Sequence, residues 1–293
     1  MLKLVLPKGS LERATLELFE AADLPVRRSS SVEYQASIAD HRIAEVAVLR
    51  PQEIPRYVAS GLFDIGITGR DWIEETASEV VSLGELQYSK ATAQPIRVVL
   101  AVSEGSPVQA VGDLPDGVRI NTEYRELTRR YLEKNGVRDA EITLSHGATE
   151  AKVALGVADA VVEITETGRA LRNNGLRIVD TVLVSFTELI ANPAAYDEPD
   201  KRHAMGQLLT LLQGTLEARG KVLVKLNVAE ADLDAVIELL PAMKSPTVSK
   251  LFGSGGYAVE TVVQKSEINK LIPALKDAGA TDIIELPLSK IVH

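Results

Sequence analysis

Cysteine is absent from the 293-residue chain, which excludes disulfides, thiol nucleophiles and thiolate-held metals. Histidine is scarce. His41, His146, His203 and His293 lie far apart without metal-ligand spacing and are read as structural or surface residues. Net positive charge is missing too: at a formal -9, the chain lacks the basic face that a general nucleic-acid binder needs against phosphate repulsion. A small polyanion can still bind wherever a few cations or backbone amides gather. No apolar run approaches the ~20 residues that span a bilayer. The opening MLKLVLPKGS has few apolar residues before Pro7 and no cleavage-site pattern, so it does not read as a signal peptide. A cytoplasmic protein with no membrane or nucleic-acid partner is expected. Internal repeats and low-complexity segments are also lacking.

The remaining composition, 45% hydrophobic and 25% charged, is that of a globular protein. At roughly 150 residues per domain, the length suggests two or three domains. Short apolar runs alternate with helical patterns, the signature of an α/β fold with mostly parallel strands. LKLVLP reads as a strand, and Leu11, Ala14, Leu18 and Ala22 then recur at helical spacing, with Ser10 placed to cap the helix. RPQEIPRYVASG reads as a short helix closed by Gly61, followed by the strand FDIGIT and the turn GRD. A second set starts near Gln94: strands PIRVVLAV and GVRINT, helix ELTRRYLEKNG, strand AEITLS, helix TEAKVALG and strand ADAVVEIT. Two more apolar runs, LRIVDTVLV and FTELIAN, follow.

In NPAAYDEPDKR, residues 192–202, prolines and charges replace apolar periodicity and mark a boundary. A helical run from about His203 to Arg219 carries Leu208, Leu209, Leu212 and Leu216 on one side. Beyond it the order is β-α-β-β-α-β, that of a ferredoxin-like fold, with Gly253, Gly255 and Gly256 at the reversal between its second and third strands.

VVEITETGRAL, residues 161–171, carries the densest chemistry. It is a strand-to-helix loop, placed where open sheets bind ligands. Free amides at a helix start attract an anion, and Gly168 permits close approach. Glu163 and Glu166 suit sugar hydroxyls instead, so the loop fits a phosphorylated sugar. The plainer alternative is a pair of solvated strand-end carboxylates, with Glu166 complementing a helix dipole.

EITETGRALRNNGL resembles the phosphoribosyl-pyrophosphate loop of the ATP phosphoribosyltransferases, which open histidine biosynthesis. LVLPKGSL, RPQEIPRYVASGLFDIGITGRDWI, INTEYRELTRRYL and MKSPTVSKLF resemble further blocks of that family in its order, so the likeness covers nearly the whole chain. The resemblance implies a bilobal, periplasmic-binding-protein-like catalytic core with lobe I at 1–93 and 178–205 and lobe II at 94–177. A ferredoxin-like regulatory domain would follow at 206–293, as in the family's long form. It implies ATP and phosphoribosyl pyrophosphate as substrates, Mg2+ carried in by substrate with no dedicated protein cage, and L-histidine as inhibitor. A homo-oligomer, dimer or hexamer, is implied as well.

By the same resemblance, Glu163 and Glu166 hold the ribose hydroxyls, and Thr165, Thr167, Gly168, Arg169 and Ala170 wrap the 5-phosphate. The family commonly has aspartate where Glu163 stands and a second threonine where Ala170 stands, so Ala170 offers only its amide. Lys8 and Gly9 of PKGS would meet pyrophosphate, with Arg13 a weaker partner; alone, PKGS is also a plain turn. Arg50, Thr68, Gly69, Asp71, Thr122, Glu123, Tyr124 and Arg129 would face the nucleotide. The plainer readings are a helix cap for Asp71 and a solvated face for Arg50 and the helix arginines. Asn227, Ser245 and Thr247 are polar candidates for the histidine pocket, or else turn residues at strand ends. A bilobal fold with a small tail also fits a sensor that performs no chemistry.

Overall fold

A computed structural model describes residues 1–30, 32–88, 95–241, 245–253 and 255–293. The chain forms two compact units, Met1–Leu209 and Thr210–His293. The first holds two sheets. Its opening part runs β1 (Leu2–Pro7), α1 (Glu12–Ala21), β2 (Gln35–Ala36), β3 (Ile43–Leu49), α2 (Ile54–Ala59), β4 (Ile65–Gly69), α3 (Arg70–Thr76) and β5 (Val81–Leu86). The second sheet draws on β6 (Ile96–Ser103), β7 (Arg119–Thr122), α4 (Arg125–Lys134), β8 (Glu141–Leu144), α5 (Ala151–Ala154), β9 (Ala160–Thr165), α6 (Arg169–Asn173) and β10 (Leu176–Ser185). The chain then returns through β11 (Thr187–Ala191), α7 (Pro193–Asp197) and α8 (Pro199–Ala218).

The strand orders are β2-β3-β1-β4-β11-β5 and β10-β6-β9-β7-β8, the two lobes expected. Strands buried on both faces form their centres: Leu4, Val5 and Leu6 of β1, and Val98 to Val102 of β6, are almost wholly shielded. Four pairs are parallel, β1 with β3 and β4, and β7 with β8 and β9. The pairs made by β5, β6, β10 and β11 run antiparallel, because these strands carry the chain between the lobes. The sheets are therefore mixed rather than mostly parallel.

Two boundaries differ from expectation. Residues 178–185 belong to the second sheet, since β10 pairs along β6 from Leu176↔Ser103 to Ser185↔Ile96. Only Phe186 separates that strand from β11 in the first sheet. The expected lobe boundary at 93/94 lies outside the described residues. NPAAYDEPDKR is largely helical, and the division between units falls at 209/210 inside α8 rather than at 205/206. Pro193 and Pro199 occupy first-turn positions, where a missing N–H costs no helical bond, so they start helices here instead of breaking them.

The second unit adds β12 (Lys221–Ala229), α9 (Leu233–Leu239), β13 (Thr247–Lys250), β14 (Gly256–Gln264), α10 (Ile268–Asp277) and β15 (Thr281–Pro287). Its order, β13-β14-β12-β15 with all pairs antiparallel, is the expected ferredoxin-like arrangement. Alternation in KVLVKLNVA buries Val222, Val224, Leu226 and Val228 in one core with Val236, Leu271 and Leu275 of the helices. Gly253 and Gly255 adopt φ of 74° and 66° in the reversal before β14, a conformation open to glycine.

Candidate active site

The candidate residues of the first unit sit at the carboxyl ends of parallel strands. Lys8 and Gly9 follow β1, Arg50 follows β3, Asp71 follows β4, Glu123 and Tyr124 follow β7, and the 166–168 turn follows β9. A cavity of about 310 Å³ opens beside the ends of β1, β3, β4 and β9; Lys8, Gly9, Arg50, Glu123, Tyr124, Glu163 and residues 167–170 lie outside its lining. Ser10, Leu11, Pro51, Gly69, Asp71 and Trp72 of the first lobe line it with Ile164, Thr165 and Glu166 of the second and the crossover residues Ser185, Phe186 and Thr187.

On the first lobe, the Lys8 ammonium lies 4.1 Å from the centre of the Tyr34 ring. Gly9 has φ 87°, and a Cβ built there meets nothing within 4 Å, so its backbone is open to close approach. Ser10 does not cap α1: Leu11 holds that position without a side-chain bond, and Glu12 accepts from the Gly9 amide at 3.1 Å instead. Glu12 also pairs with Arg28 at 2.5 Å. Burial works against its charge, but the Gly9 amide and the Arg28 guanidinium outweigh it and hold the carboxyl below the usual range. Arg13 points into an exposed ion pair with Glu17, and Arg50 is exposed. Thr68 is buried and donates to the Pro51 carbonyl at 3.0 Å, so it anchors that loop.

Asp71 is only 2% exposed and takes hydroxyl donors from both sides, Ser185 Oγ at 2.7 Å and Tyr124 OH at 2.8 Å. Burial raises its pKa, against the pull of those hydroxyls and of amides in the first turn of α3. Gly69, not Asp71, occupies the N-cap position. A Cβ on Gly69 would stand 2.1 Å from Asp71 Oδ1, so glycine is what lets the carboxylate fold back.

On the second lobe, Thr122 Oγ1 accepts from the Tyr124 amide at 2.9 Å, and the Tyr124 ring lies 4.7 Å from that of Trp72 at 35°. Glu123 is partly buried, whereas Arg129 is paired with Glu126 at 2.6 Å on the exposed side of α4. Glu163 is partly buried and accepts from the Ile164 amide at 2.9 Å. Burial first, then the charges of Glu123 and Glu150, raise its pKa, which removes it from the class of freely solvated strand-end carboxylates. Thr165 Oγ1 accepts from the Gly168 amide at 2.7 Å and Thr167 Oγ1 from the Arg169 amide at 3.4 Å, while Arg172 donates to the Thr167 carbonyl at 3.0 Å. Gly168, at φ 72°, makes the turn possible, and Thr167, Arg169 and Ala170 are exposed along it.

In the second unit, Asn227 donates to Asp282 at 2.9 Å. Thr247 is exposed on β13, which β14 separates from the strand of Asn227, and Ser245 is exposed just before β13. Sequence reasoning missed Trp72, Glu75 and Ser185. The spacing of Asp71, Trp72 and Glu75 along one helical face was a readable signal; Ser185, 114 residues from Asp71, had none.

The family model described as "ATP phosphoribosyltransferase" matches residues 50–214, and that described as "HisG, C-terminal domain" matches 218–290. The ATP phosphoribosyltransferase of Pelotomaculum thermopropionicum is 46% identical over 293 residues, covering 99% of each chain. That of Chlorobium phaeovibrioides is 47% identical over 292 residues, covering 100% of this chain and 98% of the relative. Among solved structures, the ATP phosphoribosyl transferase (HisG:HisZ) complex from Thermotoga maritima aligns at a TM-score of 0.63 and 31% identity, over 74% of this chain and 99% of that one. Matched by one family model across most of its first unit and by another across its second, and aligned end to end with these relatives, the chain belongs to the ATP phosphoribosyltransferase family in its long form.

Proposed function

We propose that the family's transfer takes place between the 8–10 and 163–170 loops. Adenine N1 of ATP attacks C1 of phosphoribosyl pyrophosphate; the N1–C1 bond forms as the C1–O bond breaks, and pyrophosphate leaves with the electron pair. The observation carrying this reading is one cavity lined by Ser10, Pro51, Gly69 and Asp71 at strand ends of the first lobe and by Thr165 and Glu166 at the end of β9. Glu163 and Glu166 accept from the ribose hydroxyls. The 5-phosphate draws the Gly168 and Arg169 amides away from the threonine hydroxyls that satisfy them in the free loop, and Ala170 offers its amide alone. Lys8 and the open backbone at Gly9 meet the departing pyrophosphate. Arg50, Gly69, Thr122, Glu123 and the Trp72–Tyr124 ring pair shape the nucleotide side, while Thr68 and Asp71 brace it from beneath. Arg129 reaches ATP only by leaving Glu126.

Positive charge builds at the sugar carbon and negative charge on pyrophosphate, so catalysis rests on positioning and electrostatics, without a covalent nucleophile. Adenine N1 carries its own lone pair, so no general base is needed. The cleft's carboxylate and hydroxyl oxygens, from Glu163, Glu166, Thr165 and Thr167, are hard donors that suit magnesium. When bound with substrate, magnesium neutralises charge on the leaving pyrophosphate.

The C-terminal unit is the regulatory domain in this reading, binding L-histidine through Asn227, Ser245 and Thr247 in a homo-oligomer, dimer or hexamer. Histidine must prefer one quaternary arrangement to slow the enzyme. A cytoplasmic setting accords with the absence, among the described residues, of any helix long and apolar enough to cross a membrane. The relatives' activity leaves the sensor alternative without support. Incubation with ATP, magnesium and phosphoribosyl pyrophosphate, with and without histidine, should release pyrophosphate with an ultraviolet-absorbing adduct. Glu166→Ala should weaken use of phosphoribosyl pyrophosphate far more than histidine binding. Equal loss of both would reduce the loop to a structural role.

A further inference from the structure

The first turn of a helix leaves its amides without intrahelical partners, and the residue before it normally satisfies them. In α4 that residue is Tyr124, which makes no side-chain cap. The Glu126 and Leu127 amides donate instead to the two oxygens of one carboxylate, Glu75, at 3.1 and 2.9 Å. Glu75 lies on α3, in the other lobe. One helical turn before it on the same face, Asp71 accepts from the Tyr124 hydroxyl at 2.8 Å, and Trp72 stacks on the Tyr124 ring. Arg130 donates to the Glu74 carbonyl at the far end of the seam.

The seam lies at the same strand ends as the substrate loops, since α3 follows β4 directly and only two residues separate α4 from β7. Parting α3 from α4 parts the two lobes that carry the 8–10 and 163–170 loops. A carboxylate on α4's amides holds the line shut, aided by the helix dipole.

We propose that Glu75 is a positioning residue: by capping a helix of the second lobe from the first, it holds the interlobe angle at which both loops reach one substrate. This rests on the reading that the two loops share a substrate. Both Glu75 oxygens are taken by the α4 amides; a direct contact with the nucleotide would raise KM for ATP alone, whereas an effect through the closed arrangement raises KM for both substrates. Apparent affinity drops by the fraction that remains closed. Turnover at saturation survives, because the filled enzyme occupies the same closed state.

The test uses the full chain with Glu75→Ala and Glu75→Gln, measuring KM for both substrates, kcat, and hydrogen exchange at the Glu126 and Leu127 amides. Loss of two hydrogen bonds to a charged group should raise both KM values about tenfold, leave kcat within about twofold and speed exchange at both amides. Glu75→Gln, keeping one acceptor and the side-chain volume, should recover most of the affinity. A merely structural role lowers the melting temperature and the active fraction but leaves KM alone. Unchanged KM in Glu75→Ala overturns the proposal; should that variant not fold, Glu75→Leu, which also removes both acceptors, is read in its place. Glu166→Ala run alongside separates the two failures: if it impairs use of phosphoribosyl pyrophosphate while Glu75 variants keep wild-type KM, the seam reading alone falls; if it has no effect, the shared-loop reading falls first.

Discussion

Tyr124→Phe removes one oxygen from a deeply buried polar cluster of the first unit. In the wild type, Asp71 receives the Tyr124 hydroxyl at 2.8 Å and the Ser185 hydroxyl at 2.7 Å, and its carboxyl is 2% exposed. A hydrogen bond to a charged group contributes about 1.5–3 kcal/mol, so about 2 kcal/mol should be lost. At roughly 2–4 °C per kcal/mol for a unit of this size, the melting point should fall by about 4–8 °C. Trp72 is the chain's single tryptophan and lies 4.7 Å from the Tyr124 ring. Its fluorescence through a urea titration therefore follows the first unit alone, from inside the altered contact.

The pH dependence sharpens the test. Burial raises the folded pKa of Asp71 above its ordinary 3.8. Folding then favours the protonated carboxyl: that contribution is whole below the unfolded value and is lost as pH climbs through the folded one. The tyrosine hydroxyl favours the ionised form, so deleting it raises the folded pKa further and enlarges the loss. The deficit of Tyr124→Phe should be smallest in acid and grow as Asp71 ionises. An unchanged urea midpoint at neutral pH, or a deficit that shrinks with rising pH, would refute the assignment of a charged Asp71 at the centre of the cluster.

Gly66→Ala places a Cβ 2.8 Å from Ile54 Cγ2 and Val5 Cγ1 and 2.9 Å from Val58 Cγ2; overpacking of this kind should destabilise by about 1–3 kcal/mol, measured as a shift in the same urea midpoint. Arg42 grips Asp40 with two bonds, at 2.8 and 2.6 Å, and holds its carboxyl at about 2 rather than 3.8. The lowered value means stability present above 3.8 and lost as pH falls through about 2. In Arg42→Ala the Asp40 carboxyl, followed by carbon NMR, should titrate close to its ordinary value.

What was legible in the sequence divides by distance along the chain. The 163–170 loop was readable as a strand-to-helix turn because its bonds are local: Thr165 reaches the Gly168 amide three residues on. The second unit was readable because strict alternation in β12 and helical spacing in α10 each name a single buried face. The strands β3 and β5 went unread, and β5 shows why: VSLGEL alternates weakly and carries a glycine. The apolar runs of β10 and β11 were seen, but which sheet takes each depends on pairing with strands some 80 to 120 residues away, and period-two patterns do not encode a partner. Asp71, Glu75 and Ser185 follow the same rule. Their identities fit a cap or a solvated surface, and only closure of the chain over 51 or 114 residues turns them into an interlobe seam. The groups proposed to touch substrate therefore lie in short, locally specified turns, while the groups that bring those turns together are set by topology. Substitutions in the first class should change chemistry with the lobes intact, and those in the second should change affinity with the chemistry intact.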